Sequence, residues 1–197
     1  MIILASASPR RKEILEGLGV DFRIVVADVD ESSDERDPQK LTEELATRKG
    51  LAVWQKLKDE RPDNIDPDDC VIVSADTVVW CNGEIFGKPR DKADAERMIR
   101  AIAGGEHKVV SGVAVTRGGV AKSASCVTFV RVDELSDGDL MRYIDSGEPI
   151  DKAGSYAIQG KFSLWINGID GCYFNVVGLP VNTLSKLYFE CTGERLI

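Results

Sequence analysis

The chain opens on an apolar run, residues 2 to 5, that reads as a short buried strand. Ser8-Pro9 follows as a helix cap with proline at the first helical position, and a first helix runs to about residue 18 and stops at Gly19. Residues 20 to 26 are strand-like, residues 28 to 37 form an acidic connection, and a long helix follows Pro38. A β-branched run over residues 71 to 80 predicts a strand, and Asn82-Gly83 predicts a two-residue hairpin returning through Glu84, Ile85 and Phe86. A helix over about residues 93 to 103 has Asp91 near its start and Gly104 just past its end. Residues 109 to 116 and 120 to 132 form a second hairpin about Arg117-Gly118-Gly119, before a short helix capped by Ser136. From 147 to 178 the chain is rich in glycine, with a hairpin signal at Asn167-Gly168, and Pro180 opens a last helix whose apolar side includes Leu184 and Leu187. The hairpins exclude a wholly parallel sheet, so the pattern describes a mixed α/β protein rather than a simple doubly wound dinucleotide fold. No G-x-G-x-x-G or G-x-x-x-x-G-K-[ST] is present.

Three positions break this pattern. On the helix after Pro38, Leu41, Leu45, Ala46, Ala52, Val53 and Leu57 fall on an arc of about 160°, and Lys49 lies near its middle. A lysine there either snorkels past its apolar neighbours or carries its ammonium to a buried anion. In "VIVSADTVVW", Asp76 shares the alternating side of Ile72, Val78 and Trp80, where an unpaired carboxylate is costly unless it meets a metal, a proton donor or a cation. Asp76 is the leading catalytic candidate, with a structural salt bridge as the alternative. Lys88 follows the hairpin in "GKP", but an ideal turn at Asn82-Gly83 pairs it with Thr77. Lys88 can therefore serve a site with Asp76 only if the ladder bulges or ends near Gly87-Lys88-Pro89.

Charge narrows the possible partners. The net charge of −8 disfavours broad binding to nucleic acid. Positive charge is concentrated at the beginning, where Arg10, Arg11 and Lys12 occur without an acid; the other 185 residues hold 22 basic against 33 acidic side chains. In "SASPRRKEIL" a helix beginning at Pro9 presents open N–H groups and a positive dipole end beside Ser8, Arg10 and Arg11, a geometry suited to a polyphosphate or else a solvated first turn. Glu31 belongs to the acidic connection with Asp28, Asp30, Asp34 and Glu35; paired with Asp76 it could hold Mg²⁺ or Mn²⁺, which favour oxygen ligands. His107 is the single histidine and reads as structural.

With 43% hydrophobic and 29% charged residues, the 197-residue chain has globular composition and the length for one compact unit or two lobes about a cleft. No stretch approaches a membrane span and the apolar start is too short for a signal peptide, so a cytoplasmic protein without membrane partners is expected. The five cysteines are well separated, show no C-x-x-C pairing, and read as packing residues or surface thiols.

Taken together, "LASASPRRKEIL", "VDE", "SADTVV", "GKP", "DKAGSYAIQG" and "GCYFNVVGLP" resemble the Maf family of nucleoside triphosphate pyrophosphatases, in order and over nearly the whole chain. The resemblance implies one Maf-like domain over residues 1 to 197: a twisted mixed sheet flanked by helices, with two lobes about a central cleft as in the Maf/ITPase-like folds, and often a homodimer. It implies a house-cleaning hydrolase that uses a divalent metal, Mg²⁺ or Mn²⁺, to split a nucleoside triphosphate into monophosphate and pyrophosphate. By motif, Ser8, Arg11, Glu31, Lys49, Asp76 and Lys88 match the family's catalytic and phosphate-binding positions, with Asp76 as proton acceptor and Glu31 and Asp76 holding the metal. Arg10, Thr77 and Gln159 match positions associated with base selection.

"EPIDKAGSYAIQG" is similar to the branch acting on dTTP and UTP, and Gln159 offers an amide suited to the acceptor–donor edge of uracil or thymine. Gly50 stands where alanine is more usual in the family. The rival readings are a pyrophosphatase for 7-methyl-GTP or another non-standard triphosphate, a nucleotide-binding regulator of cell division, and an acidic interaction scaffold.

Overall fold

The computed structural model describes residues 1–197 and contains seven strands, six α-helices and three 3₁₀ turns. In chain order the elements are β1 (Ile2–Leu4), α1 (Pro9–Gly17), β2 (Phe22–Ile24), α2 (Pro38–Glu60), β3 (Val71–Cys81), β4 (Glu84–Phe86) and α3 (Lys92–Ile102). They continue with β5 (Glu106–Arg117), β6 (Val120–Val132), α4 (Asp137–Asp145), 3₁₀ turns at Glu148–Asp151, Ala153–Ser155 and Lys161–Trp165, β7 (Ile166–Asp170), α5 (Tyr173–Val177) and α6 (Val181–Thr192). No helix is long and apolar enough to cross a membrane.

All seven strands belong to one sheet of order β2-β1-β3-β5-β6-β7, with β4 paired to β3 off this path. β1 runs parallel to β2 and β3, whereas β3–β4 and β6–β7 are antiparallel, so the sheet is mixed as the hairpin signals require. At Asn82-Gly83 both residues have positive φ, 50° and 85°, which is what a two-residue turn between twisted strands demands. Gly118 and Gly119 play the same part between β5 and β6.

The chain forms two compact units. The first comprises Met1–Asp76, Ser111–Cys126 and Gly178–Ile197. Its core gathers Ile3 and Ala5, Ile72 of β3 and Val53 and Leu57 of α2, with Cys70 beside them. α2 begins where the Asp37 carboxylate accepts from the N–H groups of Gln39 and Lys40, with Pro38 in the first turn. Its buried stripe is Thr42, Leu45, Ala46, Gly50, Val53 and Leu57, displaced from the apolar arc because a threonine and a glycine occupy buried places while Leu41 and Ala52 are half-buried. Thr42 is tolerated there because its hydroxyl donates back to the Pro38 and Gln39 carbonyls. Gly50 is needed for close approach: a Cβ would lie 2.5 Å from Thr116 Oγ1 and 2.9 Å from Ser74 Oγ.

The second unit comprises Thr77–Val110 and Val127–Val177. Its core joins Val79, Val109, Val130 and Val132 of the strands to Met98, Ile99 and Ile102 of α3 and Leu140, Tyr143 and Ile144 of α4. Each fully buried side chain of this size contributes about 1.5–3 kcal/mol. Around Phe162, Tyr143 and Tyr156 lie at centroid distances of 5.1 and 4.9 Å.

Two local expectations are corrected. The strand after Gly19 covers only Phe22–Ile24. Asn167-Gly168 makes no hairpin: both residues lie within β7, where Gly168 pairs with Arg131. Its missing side chain accommodates the Arg131 guanidinium, which a Cβ would meet at 2.4 Å, and the register shift between Arg131 and Val132 accommodates Asn167.

Candidate active site

The strand-to-helix turn after β1 places Ser6, Ser8, Arg10 and Arg11 together. Ser8 holds the capping position with extended backbone, φ −66° and ψ 118°, but its side chain makes no capping bond. The buried Ser6 hydroxyl organises the turn instead, accepting from the Ser8 N–H at 3.2 Å and from Arg11 Nη1 at 3.1 Å. Sequence reasoning missed Ser6 because a small residue two positions before a cap reads as linker. Arg11 folds inward: Nε donates to the Gly178 carbonyl and Nη1 to the Ala75 carbonyl, both at 2.8 Å. Burial holds the guanidinium below its ordinary pKa; Asp76 and Glu31 oppose that lowering and Arg10 adds to it.

Asp76 is 8% exposed on β3. The Lys49 ammonium, in the middle of the buried stripe of α2, meets Asp76 Oδ1 at 2.5 Å and Glu31 Oε1 at 2.7 Å. The structure therefore brings Glu31, Lys49 and Asp76 together, and Lys49 carries its ammonium to one buried carboxylate, Asp76, and to the exposed Glu31 beside it. Glu31 is presented by a built loop. Asp30 accepts from the N–H and hydroxyl of Ser32, and the N–H bond is the leading cause that holds its carboxyl below the usual range. On α2, Arg48 donates to the Asp30 and Ser32 carbonyls on either side of Glu31. Nothing in the periodicity of α2 singled out Arg48, since its partners lie 16 and 18 residues away in the acidic connection.

Two carboxylates thus converge on one cation, the ammonium, and this donor set fits Mg²⁺ or Mn²⁺. No group of three or more His, Cys, Asp and Glu side chains suited to a metal is present, so water and substrate oxygens would complete the coordination, as hard divalent cations allow.

Lys88, Thr77 and Gln159 belong to the second unit. The β3–β4 ladder pairs Cys81 with Glu84, Trp80 with Ile85 and Val79 with Phe86, and ends there. Lys88 is thereby released from the face that continued pairing with Thr77 would impose, as the Gly87-Lys88-Pro89 break requires. The Gly87 carbonyl instead accepts from Gly154 N–H at 3.0 Å, which ties "GKP" to "DKAGSYAIQG". Gly154 has φ +65° and lies so close to Val79 that a Cβ would fall 2.5 Å from its methyl carbon. Lys88 and Gln159 are exposed and Thr77 is half-buried.

The segment before Gln159 is fixed from below. Tyr143 donates its hydroxyl to the Ser155 carbonyl at 3.0 Å, and Tyr156 OH lies 2.7 Å from His107 Nε2. His107 is 2% exposed and burial pulls its pKa down to about 4, so the ring is neutral near pH 7, the structural part expected of it. All five cysteines are free thiols.

Comparison with known proteins bears on the family and the fold. A family model described as Maf-like protein matches residues 1–190. The chain is 44% identical over 194 residues to a dTTP/UTP pyrophosphatase of Chromobacterium violaceum, covering 96% of this chain and 93% of the relative. It is 44% identical over 198 residues to the protein of the same name from Caldanaerobacter subterraneus subsp. tengcongensis, with 100% and 91% covered. It is 42% identical over 189 residues to that of Acetivibrio thermocellus, with 94% and 92% covered. Among solved structures the fold is similar to the Staphylococcus aureus Ham1 protein, with TM-score 0.52 and 14% identity over 98% of this chain and 99% of that one.

Proposed function

From the premise that the chain belongs to the Maf family, we propose that it hydrolyses dTTP and UTP to the nucleoside monophosphate and pyrophosphate. The observation that carries this reading is the convergence of Glu31, Lys49 and Asp76 on one point, since a triphosphate needs both cationic and carboxylate groups around its reacting phosphorus. The relatives named dTTP/UTP pyrophosphatase support the choice of base.

In this mechanism the N-terminus of α1 and the Ser8 hydroxyl, which the helix leaves uncapped, receive phosphate oxygens. Lys49 and Lys88 neutralise charge on the bridging and terminal oxygens. Lys49, drawn to the phosphate, releases the Asp76 carboxylate, which then accepts the proton of the water attacking the α-phosphorus. Glu31 and Asp76 would hold a Mg²⁺ or Mn²⁺ ion, which when bound supplies Lewis-acid charge and lowers the pKa of water. Arg10, Thr77 and Gln159 select the base, the Gln159 amide offering both donor and acceptor.

Residues 1 to 197 act as a single pyrophosphatase domain, as a homodimer, in the cytoplasm, without nucleic acid or membrane partners; five free cysteines suit a reducing compartment. Pyrophosphate release from purified protein across dTTP, UTP, CTP, 7-methyl-GTP and ITP tests the reading. Turnover led by dTTP and UTP is expected; a preference for 7-methyl-GTP or ITP overturns the base assignment, and binding without turnover makes the protein a sensor.

A further inference from the structure

Arg10 and Arg11 are neighbours at the start of α1, but about 100° of helical rotation separates them, and Arg11 alone reaches the interior acceptors. Its guanidinium joins three segments distant in sequence: the β1–α1 turn through Ser6 Oγ, β3 through the Ala75 carbonyl, and the entry to α6 through the Gly178 carbonyl. Ser6, Ala75 and Gly178 are all buried and the three bonds part-buried, so water competes for them only in part. The Ala75 carbonyl belongs to the same rigid peptide plane as the Asp76 N–H. Fixing that carbonyl therefore fixes the backbone from which the Asp76 carboxylate projects.

Resting on the proposed reaction, we infer that Arg11 is a positioning residue for Asp76, a clamp on the strand that carries the proton acceptor, and not a ligand of the triphosphate. The planar fork explains why arginine is used. Nη1 spends both of its N–H groups on acceptors from two different segments, while Nε engages a third in a geometry set by the guanidinium plane. A lysine ammonium, a single point donor on a shorter stem, does not span all three. Arg10, which neighbours this clamp without taking part in it, is left to meet the nucleotide.

The test is a split of kinetic constants in Arg11→Lys and Arg11→Gln, measured with dTTP and Mg²⁺ beside calorimetric binding of the non-hydrolysable α,β-imido analogue of dTTP. A clamp predicts kcat lower by about 100-fold, the cost of misplacing a reacting group by roughly 1 Å, with KM and the analogue Kd within about threefold of wild type. A rise of about tenfold or more in KM and Kd with kcat retained would make Arg11 a phosphate ligand and overturn the inference. Unchanged kcat per folded molecule, with only a lower Tm, would equally overturn it by reducing Arg11 to a structural residue. Should both variants fail to fold, Ser6→Ala removes one acceptor and keeps the arginine; kcat lower by about fivefold at constant KM supports the clamp, and unchanged kcat refutes it. Failure of the underlying reaction is seen separately, as a wild-type protein that releases no pyrophosphate.

Discussion

Replacing Lys49 by methionine keeps a long unbranched stem on α2 and removes the ammonium on which two carboxylates depend. Lys49 and Asp76 side chains are 18% and 12% exposed and 2.5 Å apart, whereas Glu31 is 57% exposed. Removing one partner of a buried ion pair costs about 3–5 kcal/mol, because the other charge is left unpaired. Water reaches this pair in part, which reduces the Asp76 contribution to about 2 kcal/mol, and the more exposed Glu31 adds at most about 0.5 kcal/mol. At about 2–4 °C per kcal/mol for a chain of this size, Lys49→Met should unfold roughly 5–10 °C below wild type in EDTA, followed by circular dichroism. Mn²⁺ should recover more of this loss in the variant than it adds to wild type, since the carboxylates then meet the metal without a competing ammonium. A variant within 1 °C of wild type in EDTA, or one indifferent to Mn²⁺, would refute the account of how these three side chains hold one another.

Three further outcomes follow from other parts of the molecule. His107 is neutral when folded down to about pH 4, while the unfolded chain takes up a proton below about 6.5, so stability is full above the unfolded value and falls as pH drops between the two. The gap amounts to roughly 3 kcal/mol, and Tm measured at pH 7.5 and 5 should fall less for His107→Gln than for wild type. Gly50→Ala forces a Cβ against Thr116 Oγ1 and Ser74 Oγ, costing about 1–3 kcal/mol by urea denaturation, and Thr116→Ala added to it should recover part of the loss. Gly112→Ala should cost about 3 kcal/mol or more, because its Cβ would lie 2.3 Å from the backbone carbon and oxygen of Thr42, which cannot turn aside.

What the sequence made legible was whatever is encoded within a few residues. Pro9, Asn82-Gly83, the Asp91 and Ser136 caps and the glycine after α3 are local signals, and each marks the end or turn of an element in the structure. Lys49 and Asp76 were legible as violations of a buried face, and an end of the ladder near Gly87 as the condition for Lys88 to serve a site with Asp76. The misreadings share one physical cause. Gly168 looks like a turn until Arg131, 37 positions earlier, is seen to need its space. Arg48 acquires its role through the Asp30 and Ser32 carbonyls, brought near by folding, and the bond between Gly154 and Gly87 spans two motifs that are separate in the chain.

The central claim is water attack at the α-phosphorus, and isotope placement tests it most directly. When dTTP is hydrolysed in ¹⁸O-labelled water, the account predicts one label in the thymidine monophosphate and none in pyrophosphate. Label in pyrophosphate, or release of orthophosphate in its place, would contradict it.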